Sequence, residues 1–177
     1  LKNMIRKTIF AVSTEENRPI FTGCLFEVTD NKLNVVAVDG YRLAIKSNVI
    51  NKKANSFSIV IPGKTLNEVS KILEDIDDIV DITFTDNHIL FNLEKTKIIS
   101  RLLEGKYINY ASLLPQEHKL LVNINRQELQ NAIERASLMA KDGNTNLIKL
   151  DFQQDNLIIT SNSQLGKVRE EIEIKVQ

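Results

Sequence analysis

The sequence has one cysteine in 177 residues, Cys24. A single thiol cannot form a disulfide within the chain, and it excludes a zinc site built from cysteines. This scarcity fits a reducing compartment. The sequence also lacks an excess of charge of either sign, since 23 basic residues balance 23 acidic residues. The balance argues against a protein that holds nucleic acid through an overall positive field, so any DNA contact would have to come from a local basic patch.

Long hydrophobic runs are missing as well. No apolar stretch approaches the roughly 20 residues that are needed to span a bilayer. The chain does not open with the pattern of a signal peptide. We therefore expect a cytoplasmic protein that has no membrane partner.

The motifs that usually carry catalysis or cofactor binding are also missing from the sequence. Gly63 and Lys64 lack the upstream glycine of a phosphate-binding P-loop. The two histidines, His88 and His118, have neither the spacing of metal ligands nor that of a catalytic triad. We therefore predict no catalytic residues, no cofactor and no metal site, and we interpret the chain as non-enzymatic.

The most informative stretch is a turn between two apolar runs. Residues 35–38 and 43–45 have the aliphatic content of two strands, and Asp39 begins an Asp-Gly pair that supplies positive φ in a tight connection. Tyr41 and Arg42 follow, although any polar pair would complete a hairpin. The turn can be interpreted as a solvated hairpin tip, as a binding surface, or as a catalytic pair with Asp39 as base and Arg42 as anion clamp. The catalytic interpretation lacks a second positioned group.

Hydrophobic periodicity predicts three helices. The first covers residues 1–12. The second follows a capping box at Thr65 and Glu68, in which hydroxyl and carboxylate satisfy exposed backbone N–H groups, and the third follows a similar cap at Asn125. The buried stripes of the second and third helices are Leu66, Val69, Leu73 and Ile76, and Leu129, Ala132, Ile133, Ala136 and Met139. Strands are predicted over residues 20–29, 32–38, 42–46, 56–61, 81–85, 88–93, 97–103, 119–124, 147–152, 156–160 and 167–175.

A unit of one helix and three strands occurs three times along the sequence. At one constant offset, Phe26, Val28, Leu33 and Val35 fall on Leu150, Phe152, Leu157 and Ile159. A strand precedes the second and third units, so the unit is written βαβββ and the fold class is α+β. One helix leaves much of such a sheet uncovered, so we expect units to pack in pairs. The missing first strand and the unpaired third unit indicate a fragment of a longer chain, with residues 105–118 as a linker.

Residues 37–44, Ala-Val-Asp-Gly-Tyr-Arg-Leu-Ala, resemble a family signature: Thr or Val, Asp, Gly or Ser, His or Tyr, Arg, Leu. The signature belongs to the middle domain of the bacterial DNA polymerase III beta subunit, the beta sliding clamp family. Further matches follow in the same order over residues 10–13, 18–23, 60–64 and 100–105, so the resemblance covers essentially the whole chain. It implies the DNA clamp fold, in which βαβββ units pair into domains with antiparallel sheets outside and helices lining a channel.

The resemblance also implies a function in DNA replication. Clamps have three domains per chain, and two chains close into a ring around duplex DNA. Residues 1–114 would be the middle domain and residues 115–177 the first half of the C-terminal domain. The implied protein is a non-catalytic processivity factor that binds DNA independently of sequence and tethers the polymerase III catalytic subunit and the clamp loader. A homodimeric ring is expected for the full-length protein but not for this fragment.

The resemblance places a groove for partner peptides around the turn. By position it consists of Phe21, Val38, Gly40, Tyr41, Arg42, Leu43, Ile108 and Leu113, with Ser112 adjacent.

Two sets of basic residues are expected to contact DNA. Lys2, Arg6 and Lys7 form an outer face without acids on the first helix, and Arg18 and Lys64 are carried over from the family. The later helices are more acidic, with Glu68, Glu74, Asp75, Glu128 and Glu134. A peptide-docking module without a direct DNA role therefore remains the alternative, and mixed charges that only solvate these helix faces are a further interpretation.

Overall fold

The computed structural model describes residues 1–50, 55–74, 79–93, 95–142 and 146–176. The chain divides into two compact units, Leu1–Leu113 and Leu114–Gln177. Within the described ranges, no helix is long and apolar enough to cross a bilayer.

The first unit alternates short helices with antiparallel strands. Its elements are α1 (Lys2–Arg6), β1 (Gly23–Thr29), β2 (Lys32–Val38), β3 (Leu43–Val49), β4 (Phe57–Pro62), α2 (Gly63–Ile72), β5 (Asp81–Phe84), β6 (His88–Leu93) and β7 (Thr96–Arg101). Three 3-10 turns complete it, at Ile9–Ala11, Pro19–Thr22 and Tyr110–Leu113. The strands form two antiparallel sheets in the orders β3-β2-β1-β4 and β5-β6-β7, which confirms the expected α+β class.

The four-stranded sheet of the first unit is buried on both faces. We call the apolar residues between this sheet and the helices the inner cluster; it includes Met4, Ile5, Phe26, Val35, Leu66, Val69 and Phe91. The opposite face carries the outer cluster, with Leu25, Val36, Val38, Val60 and Tyr107 buried and Phe21, Leu43, Leu103 and Tyr110 packed around them. Since successive strand residues point to opposite faces, the apolar run at the end of β2 supplies both clusters.

The second unit repeats the pattern of the first. Its elements are β8 (Val122–Asn123), α3 (Arg126–Asp142), β9 (Lys149–Phe152), β10 (Asn156–Asn162), β11 (Lys167–Glu173) and β12 (Lys175–Val176). The internal repeat is visible in strand register: Phe26 pairs with Val35 and Val28 with Leu33, while Leu150 pairs with Ile159 and Phe152 with Leu157. Residues matched by sequence offset therefore occupy matching positions in two hairpins.

The first predicted helix is wrong over much of its length. Helix α1 ends at Arg6, and residues 9–11 form a 3-10 turn. The cause is Thr8, which is fully buried and whose hydroxyl donates to the carbonyls of Met4 (2.9 Å) and Ile5 (3.2 Å). A hydroxyl that bonds these carbonyls competes with the backbone N–H groups of a continuing helix.

The predicted strand over residues 20–29 begins late. Pro19–Thr22 is a 3-10 turn, in which the Thr22 hydroxyl donates to the Pro19 carbonyl (2.7 Å), and β1 starts at Gly23. Proline fixes φ at a helical value, which favours this turn over an extended chain.

The predicted capping box before the second helix is also wrong. Strand β4 runs directly into α2, with Pro62 as an N-cap that has no side-chain bond. Thr65 instead lies 2.7 Å from the Ser100 hydroxyl, and Glu68 bonds Lys71 (2.7 Å). Of the predicted stripe, Leu66 and Val69 are fully buried, while Ile76 lies outside the described residues. The cap at Asn125 is confirmed, because its Oδ1 accepts the N–H groups of residues 127 (2.9 Å) and 128 (3.2 Å).

Several predicted strand ends differ from the structure, most of all in the second unit. Residues 119–124 contain only β8, residues 147–152 contain β9, and residues 167–175 divide into β11 and β12 at Ile174. Ile174 is buried and its N–H donates to the Asp155 carbonyl (2.9 Å), which continues the register of β10 and β11 by one residue before β12 begins.

The predicted linker begins inside the first unit. Residues 103–113, called the strap below, cover the outer cluster of the four-stranded sheet. The strap begins where the N–H of Leu103 donates to the Val60 carbonyl (2.9 Å), and Tyr107 is only 9% exposed. Buried tyrosine contacts explain why this stretch packs on the sheet and does not run free between units.

Candidate functional site

The turn between β2 and β3 is built around the Asp39 carboxylate. Its Oδ1 accepts the backbone N–H groups of Tyr41 (3.0 Å) and Arg42 (3.1 Å), and the Asp39 N–H donates to the Arg42 carbonyl (3.3 Å). Gly40 has φ +94°, as the Asp-Gly pair predicts. A Cβ on Gly40 would meet no atom within 4 Å, so it is the backbone conformation, and not space, that requires glycine there.

Arg42 is held in place by two neighbours. Its Nε donates to Asp39 Oδ2 (2.8 Å), and its guanidinium lies over the ring of Phe10, 5.9 Å from the centroid. The N–H of Tyr41, followed by the bonds and charge of Arg42, lowers the pKa of Asp39 below its ordinary value. Asp39 is therefore committed to the turn as an ionised acceptor, which gives the catalytic interpretation no free base.

Phe10 was not among the predicted site residues. The sequence offered one signal, because Phe10 is an apolar residue off the buried stripe of the first predicted helix. In the structure its ring is 58% exposed, next to Arg42. Tyr41 is 99% exposed and has its ring free to meet a partner.

A groove of about 360 Å³ runs beside the turn. It is lined by the predicted residues Phe21, Val38, Gly40, Tyr41, Arg42, Leu43, Ile108 and Leu113. Val38 is buried at its base, while Ile108 and Leu113 come from the strap. Ser112 is not part of the lining among the described residues; its hydroxyl donates to the Asn109 carbonyl within the strap (2.7 Å).

The groove has a polar side that the sequence did not assign to it. This side consists of Ser13, Glu15 and Arg18, which line the groove beside Asp39 of the predicted turn. Ser13 shapes this side, since its N–H donates to the Phe21 carbonyl (2.8 Å) and its hydroxyl accepts the N–H of Glu15 (3.0 Å). Arg18, predicted to contact DNA, therefore lies where it can also bind the occupant of the groove.

The remaining predicted DNA residues lie on α1 and α2, which pack against each other. Met4 and Ile5 are the buried residues of α1, whereas Arg6 and Lys7 are exposed. Lys2 is half-buried on the same short helix, and Lys64 is exposed in the first turn of α2.

Each of the later helices carries one ion pair among its described side chains. On α2, Lys71 bonds Glu68. On α3, Arg135 donates to both carboxylate oxygens of Glu170 (2.9 and 2.8 Å), and this pairing lowers the pKa of Glu170. The exposed face of α3 also holds hydrogen bonds four residues apart, from Arg126 to Gln130, Gln127 to Asn131 and Gln130 to Glu134. These contacts fit a solvated helix face of mixed charge.

The candidate catalytic and metal-binding groups stay apart. Within the part of the chain that the structure describes, no three His, Cys, Asp or Glu side chains are grouped so that they could hold a metal ion. His88 begins β6 and His118 follows the strap, and both are exposed. Cys24 is buried in the inner cluster, where burial raises the pKa of its thiol to about 12.

Comparison with known proteins decides the family. The sequence model for the DNA polymerase III beta subunit, central domain, matches residues 1–109, and the model for the C-terminal domain of the same subunit matches residues 111–177. The chain belongs to the DNA polymerase III beta subunit family. The sequence-based identification of the family is therefore confirmed.

Relatives and solved structures agree with this family. The chain is 43% identical to the beta sliding clamp of Bacillus subtilis over 97% of its own length, and 39% identical to that of Staphylococcus aureus over 98%. The structure superposes on the crystal structure of the B. subtilis DNA polymerase sliding clamp with a TM-score of 0.92 at 42% identity, covering 99% of this chain and 48% of that one. The corresponding clamp from Pseudomonas aeruginosa gives 0.91 at 27% identity, over 99% and 49%. These likenesses confirm the clamp fold.

The chain spans about half the length of the curated relatives it matches, 46% in both cases.

Proposed function

We propose that this chain is part of a DNA sliding clamp, a processivity factor of the bacterial replicative DNA polymerase. The observation that carries the proposal is the groove beside the Asp39 turn, which collects side chains from the turn, from the Pro19–Thr22 segment and from the strap. Family membership supplies the context in which such a groove binds linear peptides of replication proteins.

The groove suits an extended peptide with apolar and glutamine side chains. Val38, Leu43 and Phe21 offer an apolar base, and Tyr41 adds a rigid ring that is ready to cover a bound chain. Arg42 has further N–H groups beyond the one bonded to Asp39, and these can donate to peptide carbonyls. We propose the polymerase III catalytic subunit and the clamp loader as the partners that supply such peptides.

The basic residues of α1 and α2 support a contact with duplex DNA. Arg6, Lys7 and Lys64 are exposed, and with Lys2 and Arg18 they can meet phosphates independently of base sequence. A ring that encloses DNA needs few such contacts, because topology and not affinity keeps it in place. This fits a chain whose net charge is zero.

The remaining assignments follow from the same proposal. Residues 1–114 form the middle clamp domain and residues 115–177 the first half of the C-terminal domain. The full-length protein is a homodimeric ring in the cytoplasm, and it is a subunit of the holoenzyme without catalytic residues of its own.

A peptide-docking module without a direct DNA role is the second candidate. The ion pair on α3 favours it, because Arg135 is neutralised by Glu170 and the neighbouring face carries amides. The two candidates differ in whether DNA topology matters to binding.

A topological experiment separates them. Loaded by the clamp loader onto circular duplex DNA, the full-length protein should stay bound in high salt and be released when a restriction enzyme opens the circle. Equal retention on circular and linear DNA would contradict encirclement. A protein that binds the polymerase peptide but is never retained on circles would support the docking module.

A further inference from the structure

The strap supplies two groove residues, Ile108 and Leu113, but it is attached to the sheet unevenly. At one end the Leu103 N–H donates to the Val60 carbonyl (2.9 Å). In the middle the Tyr107 ring packs edge-on against Phe21, with centroids 5.7 Å apart. A second cavity of about 740 Å³ lies along residues 102–110, and Ile108 lines both this cavity and the groove. Ile108 is therefore backed by open space and depends on attachments elsewhere in the strap.

The far end of the strap is fixed by a chain of polar contacts on β1, β2 and β3. The Tyr110 hydroxyl donates to Glu27 Oε2 at 2.6 Å and accepts the Nδ2 of Asn34 at 3.4 Å. Ser47 orients Asn34 from the next strand by donating to its Oδ1 (2.7 Å). Tyr110 opens the 3-10 turn Tyr110–Leu113, so this chain of bonds ends three residues from Leu113 and two from Ile108.

We propose that the bond between Tyr110 and Glu27 is a positioning anchor for the peptide groove. It fixes the strap on the sheet, and thereby sets where Ile108 and Leu113 meet the occupant of the groove. Neither Tyr110 nor Glu27 lines the groove, so both act through the strap. The proposal rests on the proposed function, because it describes how that same groove is kept in shape.

The chemistry of the contact suits a permanent anchor. An O–H donor on a carboxylate at this distance is among the stronger hydrogen bonds of proteins. Burial, followed by the hydrogen bond and charge of Glu27, raises the pKa of Tyr110 to about 12. The phenol therefore keeps its proton and remains a hydrogen-bond donor at physiological pH.

The test compares matched variants by two separate measurements. Tyr110→Phe removes the hydroxyl and keeps the ring, Glu27→Ala removes the acceptor, and the double variant removes both. Tyr107→Phe is the control, since its hydroxyl belongs to the same strap but lies 3.5 Å from the Gly23 and Val36 carbonyls, at the limit of a hydrogen bond. Methyl NMR of the full-length protein reports the surroundings of Ile108 and Leu113 without any peptide. Calorimetric titration of the full-length protein measures the affinity of the groove for a polymerase-derived peptide of apolar and glutamine residues.

Both single variants should shift the methyl signals of Ile108 and Leu113 and lower the affinity for the peptide about fivefold. The double variant should lose no more affinity for the peptide than either single variant, because all three variants lack the same hydrogen bond between Tyr110 and Glu27. Glu27→Gln, which keeps an acceptor oxygen, should recover part of the affinity.

Unchanged methyl signals, additive losses, or an equal effect of Tyr107→Phe would overturn the anchor. If the unmutated protein binds no peptide, the proposed function fails instead, while the methyl signals still decide whether Tyr110 and Glu27 position the strap.

Discussion

At the scale of single residues, the turn after β2 shows how a short polar loop becomes an ordered surface. Asp39 accepts two backbone N–H groups and the Nε of Arg42, and Arg42 lies over Phe10. A solvated hairpin tip needs only the first two bonds. The third bond and the ring contact orient a guanidinium toward the groove, which favours the binding surface among the three interpretations of this turn.

The turn yields a prediction about peptide affinity. In the full-length protein, Leu43→Ala and Arg42→Ala should each lower the affinity for a polymerase-derived peptide at least about tenfold. They remove an apolar contact and an oriented hydrogen-bond donor, respectively, from the groove. Lys46→Ala is the matched control, since Lys46 is exposed on the same strand and does not line the groove. Calorimetry measures the peptide affinity of all three variants. Equal small losses of affinity would mean that Tyr41 and Arg42 belong to an ordinary solvated hairpin tip.

The Asp39 carboxylate yields a second prediction, on pH. Its pKa is lowered in the folded chain, so carbon-13 NMR should find a midpoint below the ordinary value of 3.8. The stability that the carboxylate contributes is then complete above the unfolded pKa, and it is lost as the pH falls through the lower folded pKa.

Arg42→Ala is the informative variant for this titration. The midpoint of Asp39 should rise only part of the way, because the N–H of Tyr41 is the largest cause of the shift and remains in place. A full return to 3.8 would mean that the guanidinium alone sets the pKa.

At the scale of elements, strand β1 and the strap meet at Gly23. A Cβ added there would lie 2.5 Å from the Ile61 carbonyl oxygen of β4 and 2.8 Å from Leu103 Cδ1. Both distances are shorter than van der Waals contact, and the first neighbour is backbone that cannot rotate away. Glycine at this position lets β4 and the strap approach the same strand.

Gly23→Ala should therefore destabilise the protein by about 1–3 kcal/mol, since the strand pair or the strap must shift to admit one methyl group. Urea unfolding measures this loss. Ser58→Ala, at an exposed position of β4, should stay within about 0.5 kcal/mol of the unmutated chain. A Gly23→Ala variant as stable as Ser58→Ala would show that β1 and β4 separate without cost.

The local sequence pattern correctly predicted the elements whose conformation depends on residues close by in the sequence. Residues 32–38 and 88–93 form strands as predicted because turn residues bound them, and Asp30 and Asn31 take the positive φ of a tight turn (49° and 62°). Prediction failed where a tertiary contact decides. Thr8 ends α1 from within the core, and Thr65 turns to Ser100 when a cap was expected.

The candidate site shows the same division. The residues of the turn and Phe21 could be placed by their resemblance to a family signature. Phe10 and the anchor at Tyr110 could not, because each depends on a partner distant in sequence, Arg42 in one case and Glu27 in the other. No local spacing encodes such a contact.

At the scale of the whole molecule, the net charge is zero, but the basic residues are unevenly distributed over the surface. Arg6, Lys7 and Lys64 are exposed near the packed pair α1 and α2, while the arginine in the middle of α3 is bound to Glu170. Under the proposed function, weak contact with DNA through the first helices would suit a ring that moves along the duplex.

This arrangement predicts a salt effect. Replacing Lys2, Arg6, Lys7 and Lys64 by alanine should reduce the slope of log affinity against log salt by up to about 3 to 4 for linear duplex DNA, because each lost phosphate contact removes nearly one unit. Fluorescence anisotropy over a salt series measures the slope. Arg126→Ala with Lys141→Ala, on α3, is the control, and an unchanged slope in the fourfold variant would remove these residues from the DNA surface.

The bonds within the Asp39 turn also bear on the speed and entropy of recognition. A side chain that is immobilised only on binding costs roughly 0.5–1.5 kcal/mol of conformational entropy. Arg42 is already ordered in the free protein by Asp39 and Phe10, so most of that cost is met during folding. Tyr41, at 99% exposure, is the one member of the turn whose ring remains to be ordered by the peptide. Peptide binding should therefore require little rearrangement of the Asp39 turn. Differences in affinity among peptides should come from their dissociation rates more than from their association rates.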